Sequence, residues 1–560
     1  MTRWITRWAT PLLTVLFGIG AFSTPASATA SATAVPVWQT TWTSPTDLGV
    51  GYTYNSTTRD IATVAAAGDA LTFTFSNLWS ATPTTFASVT VGVQQSGPDV
   101  VAGTLRSVTF DHGSPRVTIG PHARVTSDAV VMRVHAGETL AVSVAVSGYA
   151  EVSVHYCCND RIDSYATANS VGDVAANPSG TAFDPGLTSP YMRWLSAIAV
   201  HDSPAQGTIV ALGDSITDGF GYLNRGYSWV NALQSRLDQL PANQRMSVVN
   251  EGIAGNTLTV FPSGASFATR SGGLPGVTRL SRDALSLPGV KDVIVFLGTN
   301  DIWFGAGGET GHPIPPYGTA GAIEAGLRQV ITATHQHGIK IFAVTLLPRS
   351  TSTAADHDLP EYWSPAEQAT LSAVNAWILS PHAGFDGVLN LAAVMGNVYD
   401  GACQPWVPFA PYFNPDHLHP DVAGQTVMAN AIATTQFQLP EAPLLPTPLA
   451  VTPTPGCPAA RLATSILAAS AAPTPTTTSV PTTTTPSPTT VAPPAPRRSN
   501  HHLVLYVIGA IVIVILLLAW NARRRYIRRR ALRRRAMRAV NPSRPPFPPG
   551  RPVPPRRPPL

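Results

Sequence analysis

Between residues 36 and 200, hydrophobic and polar positions alternate one for one in short runs: Ala70 to Phe75, Ser88 to Val93, Val108 to Phe110, Arg116 to Ile119 and Thr139 to Val146. A period of two bounded by Gly, Asp and Pro turns predicts half-buried antiparallel strands, hence an all-β sandwich or jelly-roll domain over 36–200. From Gln206 the texture changes. Apolar runs at Thr208–Leu212, Ser247–Val249, Asp292–Leu297, Ile339–Leu346 and Gly387–Leu391 are separated by stretches of helical period. One of those helices carries its own start signal: Ser364 as cap, Pro365 at the first helical position and Glu367 at the third, before an amphipathic run to Ile378. Strands interleaved with helices over 206–437 predict an α/β domain with a parallel sheet covered on both faces. In such sheets the functional site lies at the carboxyl ends of the strands.

The pattern then dissolves into Pro, Thr, Ser and Ala over 440–500, a composition that buries no core and reads as a semi-stiff linker. Leu503 to Trp520 contains no charge, and at about 1.5 Å per residue it spans roughly 27 Å, which predicts a transmembrane helix. At the other end, residues 1–28 join Arg3 and Arg7 to a short apolar run and an Ala26-Ser27-Ala28 ending, the pattern of a secretory signal peptide.

Charge supports this topology and removes another possibility. The formal net charge of +5 and pI near 9.1 raise the question of nucleic acid. Yet 14 Arg and no acid follow Trp520, whereas residues 29–496 hold 18 basic against all 31 acidic side chains. The folded part is therefore acidic and is not expected to bind nucleic acid. The arginine-rich tail, 521–560, places itself in the cytoplasm and residues 29–500 outside, by the positive-inside rule. It is expected to act as a stop-transfer signal, with lipid contact or a Pro-rich docking segment as alternatives. Cys157, Cys158, Cys403 and Cys457 would then face an oxidising compartment, where disulfides are favoured over metal. Three pairings exist; Cys403 with Cys457 would tie the start of the linker to the second domain.

The polar motifs fall at the ends of the predicted parallel strands. Gly213-Asp214-Ser215 follows the first, so Ser215 projects its hydroxyl above the sheet edge, either as a nucleophile or as a helix cap. After the second comes Asn250 to Asn256, in which Gly255 offers a backbone N–H. After the third stands Gly298-Thr299-Asn300-Asp301, in which Asn300 offers a side-chain amide. Such donors suit an oxyanion. Asp416 and His419, three apart, can project to one side of a turn so that the carboxylate orients the imidazole. Asp416 and His419 with His417, or His335 with His337, would be the alternative, a metal site. However, His417 points away from His419 in any turn geometry, and no Cys or clustered carboxylate completes a shell. His155, alone in a strand of the first region, reads as structural.

In this order the four blocks resemble those of SGNH hydrolases, the GDSL-type esterases and lipases. The resemblance implies a flavodoxin-like three-layer domain, Ser215 as nucleophile, His419 as base and Asp416 as its orienter. It also implies an oxyanion hole formed by Ser215 N–H, Gly255 N–H and the Asn300 side chain, with no metal or organic cofactor. Trp42 to Pro45, Thr58-Arg59, Phe75 to Asn77, Val108 to Phe110 and Ser127-Asp128 are similar to the β-domain preceding the catalytic domain in a subgroup similar to acetylxylan esterases. The expected activity is hydrolysis of short acyl esters, acetyl above all, on carbohydrate outside the cell, with Trp303 and Phe304 as candidate pocket walls. A lipase or thioesterase for longer chains, and an inactive surface glycan-binding protein, are the competing readings.

Overall fold

A computed structural model of the chain describes residues 37–156, 164–221, 227–260, 272–308, 313–349, 363–399, 401–447 and 453–457. The expected signal peptide, Cys157 and Cys158, most of the expected 440–500 linker, the expected 503–520 span and the tail lie outside them. Among the described residues, no helix is long and apolar enough to cross a membrane.

The N-terminal region is all β. Its main strands are β1 (Gln39–Thr43), β2 (Leu48–Tyr54), β3 (Thr57–Thr63), β4 (Gly68–Ser76), β5 (Thr84–Ser96), β6 (Val130–Val134), β7 (Thr139–Val146), β8 (Tyr149–His155) and β9 (Leu195–Val200). One antiparallel sheet has the order β1-β9-β4-β6 and a second contains β3-β7-β5. Alternate residues Leu71, Phe73 and Phe75 of β4 meet Leu140, Val142 and Val144 of β7 in one buried core, which makes the region a sandwich. β8 belongs to a small third sheet with β2.

The second region holds five parallel strands, β10 (Thr208–Gly213), β11 (Ser247–Gly252), β12 (Val290–Phe296), β13 (Lys340–Val344) and β14 (Gly387–Leu389). Their order, β11-β10-β12-β13-β14, is that of a flavodoxin-like sheet, with its switch point beside β10. Every described residue of β10 and β11 is buried, as expected of strands covered on both faces. The principal helices are α1 (Ser215–Asp218), α2 (Trp229–Leu237), α3 (Gly276–Leu280), α4 (Thr299–Gly305), α5 (Ala320–Gln336), α6 (Pro365–Ile378) and α7 (Val422–Asn430). α2 packs on β11 and on the returning α7, whereas α3 packs on α5 and α5 on α6. Ser364 and Glu367 form a reciprocal capping box that opens α6.

The chain does not leave this domain at Pro440. Arg236 of α2 is fully buried, and its guanidinium donates to Ala429 O and Ile432 O at 2.6 Å, to Ala442 O at 2.8 Å and to Glu441 Oε1 at 2.7 Å. Farther on, Thr454 N–H donates to Val398 O, and Cys457 is buried and bonded to Cys403 with Cα atoms 5.6 Å apart. The linker boundary drawn at 440 from composition is thus displaced. Proline ends regular structure without preventing burial, and the segment supplies carbonyls that a buried arginine needs.

Candidate active site

Gly213 ends β10, and Asp214 caps the single turn α1 by accepting from the Ile216 N–H at 3.0 Å. Burial pushes the Asp214 carboxyl up to about 7, with Arg349 pulling it down and Asp301 pushing it up. Gly213 is required because a Cβ there would stand 2.0 Å from Thr217 Oγ1. The turn therefore sits directly on the strand end and presents Ser215.

The other half of the site arrives just before α7. Asn414 donates through Nδ2 to the carbonyls of His419 and Pro420, at 3.0 and 3.1 Å, closing a tight loop. His417 adopts φ 54°, and this left-handed residue turns its exposed ring outward while Asp416 and His419 share the inner side. Asp416 Oδ2 lies 2.8 Å from His419 Nδ1, and Asp416 Oδ1 accepts from the N–H groups of Leu418 and His419 at 3.0 Å each. Burial would raise the Asp416 pKa, but the His419 ring and these two N–H groups outweigh it and hold the carboxyl below its ordinary value. His419 Nε2 lies 2.8 Å from Ser215 Oγ across 204 residues of sequence. With the proton of Nδ1 directed at the carboxylate, Nε2 is free to accept from the serine hydroxyl.

The two expected oxyanion donors, Gly255 and Asn300, lie on neighbouring loops. Gly255 has φ 75°, a conformation that favours glycine. Asn300 donates one Nδ2 proton to Asn256 O at 2.9 Å, and its second amide proton remains available. Asp301 binds the same loop from the far side, accepting from Leu258 N–H at 2.7 Å and Thr259 N–H at 2.9 Å. Arg279, fully buried, donates to Gly213 O at 2.9 Å, Glu251 O at 2.8 Å and Asn256 Oδ1 at 3.1 Å, joining both strand ends to the loop.

The candidate pocket walls divide. Phe304 is 2 % exposed and packs with Trp303, Ile314 and Tyr317 in a small cluster of its own, so it is core rather than an open wall. Trp303 is partly buried against the same cluster. The aromatic ring beside the histidine is instead Phe220, 4.6 Å from the His419 ring between centroids. Its signal was only a Phe five residues after Ser215. No three His, Cys, Asp or Glu residues are grouped to hold a metal among the described residues. His335 pairs with Asp386 at 2.9 Å and His337 with the Ala333 carbonyl at 2.8 Å.

Residues 211–427 match the model of the GDSL-like lipase/acylhydrolase family. Similar solved structures include a lipase/acylhydrolase from Enterococcus faecalis, 19% identical, covering 42% of this chain and 98% of its own with a TM-score of 0.29. An acetylxylan esterase from Geobacillus stearothermophilus is 19% identical over 40% of this chain and 91% of its own, with a TM-score of 0.27. An aryl esterase of M. smegmatis is 17% identical over 42% of this chain and 100% of its own, with a TM-score of 0.31. No curated protein matches the chain.

Proposed function

We propose that the chain, whose residues 211–427 match the GDSL-like lipase/acylhydrolase family model, is a carboxylic ester hydrolase that works through a Ser215-His419-Asp416 triad on short acyl esters, acetyl above all, carried by carbohydrate. The observation that carries this reading is the continuous line of 2.8 Å contacts from Asp416 through His419 to Ser215 Oγ. Ser215 attacks the ester carbonyl as His419 takes its proton, and the tetrahedral oxygen is received by the N–H groups of Ser215 and Gly255 and the Asn300 amide. Collapse expels the alcohol with the proton returned by His419, and water then hydrolyses the acyl-enzyme by the same steps in reverse order of partners. Asp416, held below its ordinary pKa, stays ionised and supports the imidazolium throughout.

The carbohydrate part of the proposal draws on the resemblance of the N-terminal β-domain to that of acetylxylan-type esterases. In this reading the enzyme acts outside the cell on a single membrane anchor, which the signal-peptide pattern of residues 1–28 and the 503–520 apolar run support. Release of acetate, butyrate and octanoate from nitrophenyl esters, and of acetate from acetylated glycans, tests it with the full-length protein. Ser215→Ala is expected to lower the rate by roughly 10⁴-fold or more. Comparable rates for the two proteins would overturn the serine mechanism, and a preference for octanoate would move the substrate to lipids.

A further inference from the structure

His155, the last residue of β8, is fully buried, and both its ring nitrogens face acceptors. Nδ1 lies 2.8 Å from the Pro45 carbonyl oxygen and Nε2 lies 3.1 Å from Asp218 Oδ1. An imidazole with an acceptor on each nitrogen is held in its doubly protonated form. Burial opposes that charge, yet Asp218 and Asp47 prevail and lift the His155 pKa to about 9. Two further titratable groups face the pair. Asp47 accepts from the Tyr156 N–H at 2.7 Å, and Arg279 favours the ionised form of Asp218. Taking both charges wholly out of water is a poor route to stability by itself. Their neighbours point to a geometric role.

Asp218 closes the turn that Ser215 opens. Its N–H donates to Asp214 O at 2.9 Å, and Phe220, two residues on, donates its N–H to Ser215 O at 2.9 Å and lays its ring, tilted, beside that of His419. The Asp218 backbone also packs against Gly252, which ends β11 and opens the loop that carries Gly255. One side chain of the β-domain thus reaches a residue that contacts both the nucleophile turn and the oxyanion loop.

We propose that His155 is a positioning residue of the esterase site, acting through Asp218 to keep the Ser215 turn and the Gly255 loop in register, so that the N-terminal domain completes the active site. The proposal rests on the Ser215 mechanism given above.

The test uses the full-length protein with His155→Gln, Asp218→Asn and, as a control at the same domain interface, Thr40→Val. Thr40 bonds to the Pro288 carbonyl, away from the triad. Ser215 is titrated with a fluorophosphonate, so that turnover is expressed per reactive serine and any unfolded fraction drops out. His155→Gln and Asp218→Asn are each expected to lower kcat for 4-nitrophenyl acetate per titrated serine by roughly 10- to 100-fold, with KM changed less than about threefold. Thr40→Val is expected to lower Tm and leave kcat per serine at the wild-type value. Wild-type kcat per serine in both site variants, with only Tm reduced, would overturn the proposal. Absence of ester hydrolysis by the wild-type protein would defeat the esterase reading instead, and the rate of fluorophosphonate labelling of Ser215 would still report positioning, slower in both variants if the proposal holds and unchanged if it does not.

Discussion

Gly252 and Asp218 meet backbone to backbone: a Cβ on Gly252 would stand 2.2 Å from the Asp218 nitrogen and 2.7 Å from its Cα. No side chain can rotate away to relieve that contact, since both partners are main chain. Gly252→Ala is therefore expected to displace the nucleophile turn, costing about 3 kcal/mol or more of stability and most of the esterase rate. Urea unfolding and turnover measured on the same preparation check both effects.

Asp416→Asn keeps the shape of the loop but removes the charge that faces His419 Nδ1. An amide in that place permits the wrong tautomer, with Nε2 protonated and unable to accept from Ser215. A fall in kcat of roughly 10²- to 10⁴-fold is expected, with Tm lowered only modestly. An unchanged kcat would show that the imidazole is oriented by its other contacts alone.

Truncation after Pro440 should leave Arg236 buried without Glu441 and the Ala442 carbonyl, and Cys403 without its partner. Stranding a buried guanidinium costs about 3–5 kcal/mol, and opening a loop of 54 residues removes up to about 4 kcal/mol more in the chain-entropy limit. A chain ending at Pro440 is expected to aggregate or melt far below one ending at Thr474. Reduction of the latter with dithiothreitol should lower its Tm by part of that difference.

Alkaline pH should weaken the fold through His155. Its folded pKa, about 9, lies above the ordinary 6.5, so the proton stabilises the native state fully below pH 6.5 and that contribution disappears as pH rises through about 9. Asp47, lifted by burial to about 7 from 3.8, acts earlier, with stability lost between those values as the folded state gives up its proton. Thermal melts from pH 7 to 10 are expected to show a falling Tm, with a shallower slope for His155→Gln. Equal slopes would assign the alkaline loss to other groups.

The site was legible where its chemistry is local. Ser215, Gly255, Asn300 and the Asp416-His419 pair each lie within a few residues of a strand or helix end, and parallel-sheet geometry dictates that such ends converge. His155 was opaque for the opposite reason: its partner is 63 residues away in another domain, and a lone histidine in a strand carries no pattern. Phe304, a candidate wall in the sequence, proves to be core because a helix adjoining a site turns only some of its side chains toward it. The strap after Pro440 escaped notice because its composition is that of a linker, while its function is to offer backbone carbonyls, which every sequence possesses.

The first and last strands of the N-terminal domain are each other's partners, Gln39 opposite Val200. During synthesis this sheet cannot close until some 160 residues of the chain have followed its opening strand, and β1 must wait as an unpaired edge. The catalytic domain repeats the delay, since Arg236 is satisfied only by residues about 200 positions later and Cys403 only by Cys457. His419 and its strap are among the last described residues to appear, so Ser215 lacks the imidazole that faces it until 204 further residues have been made.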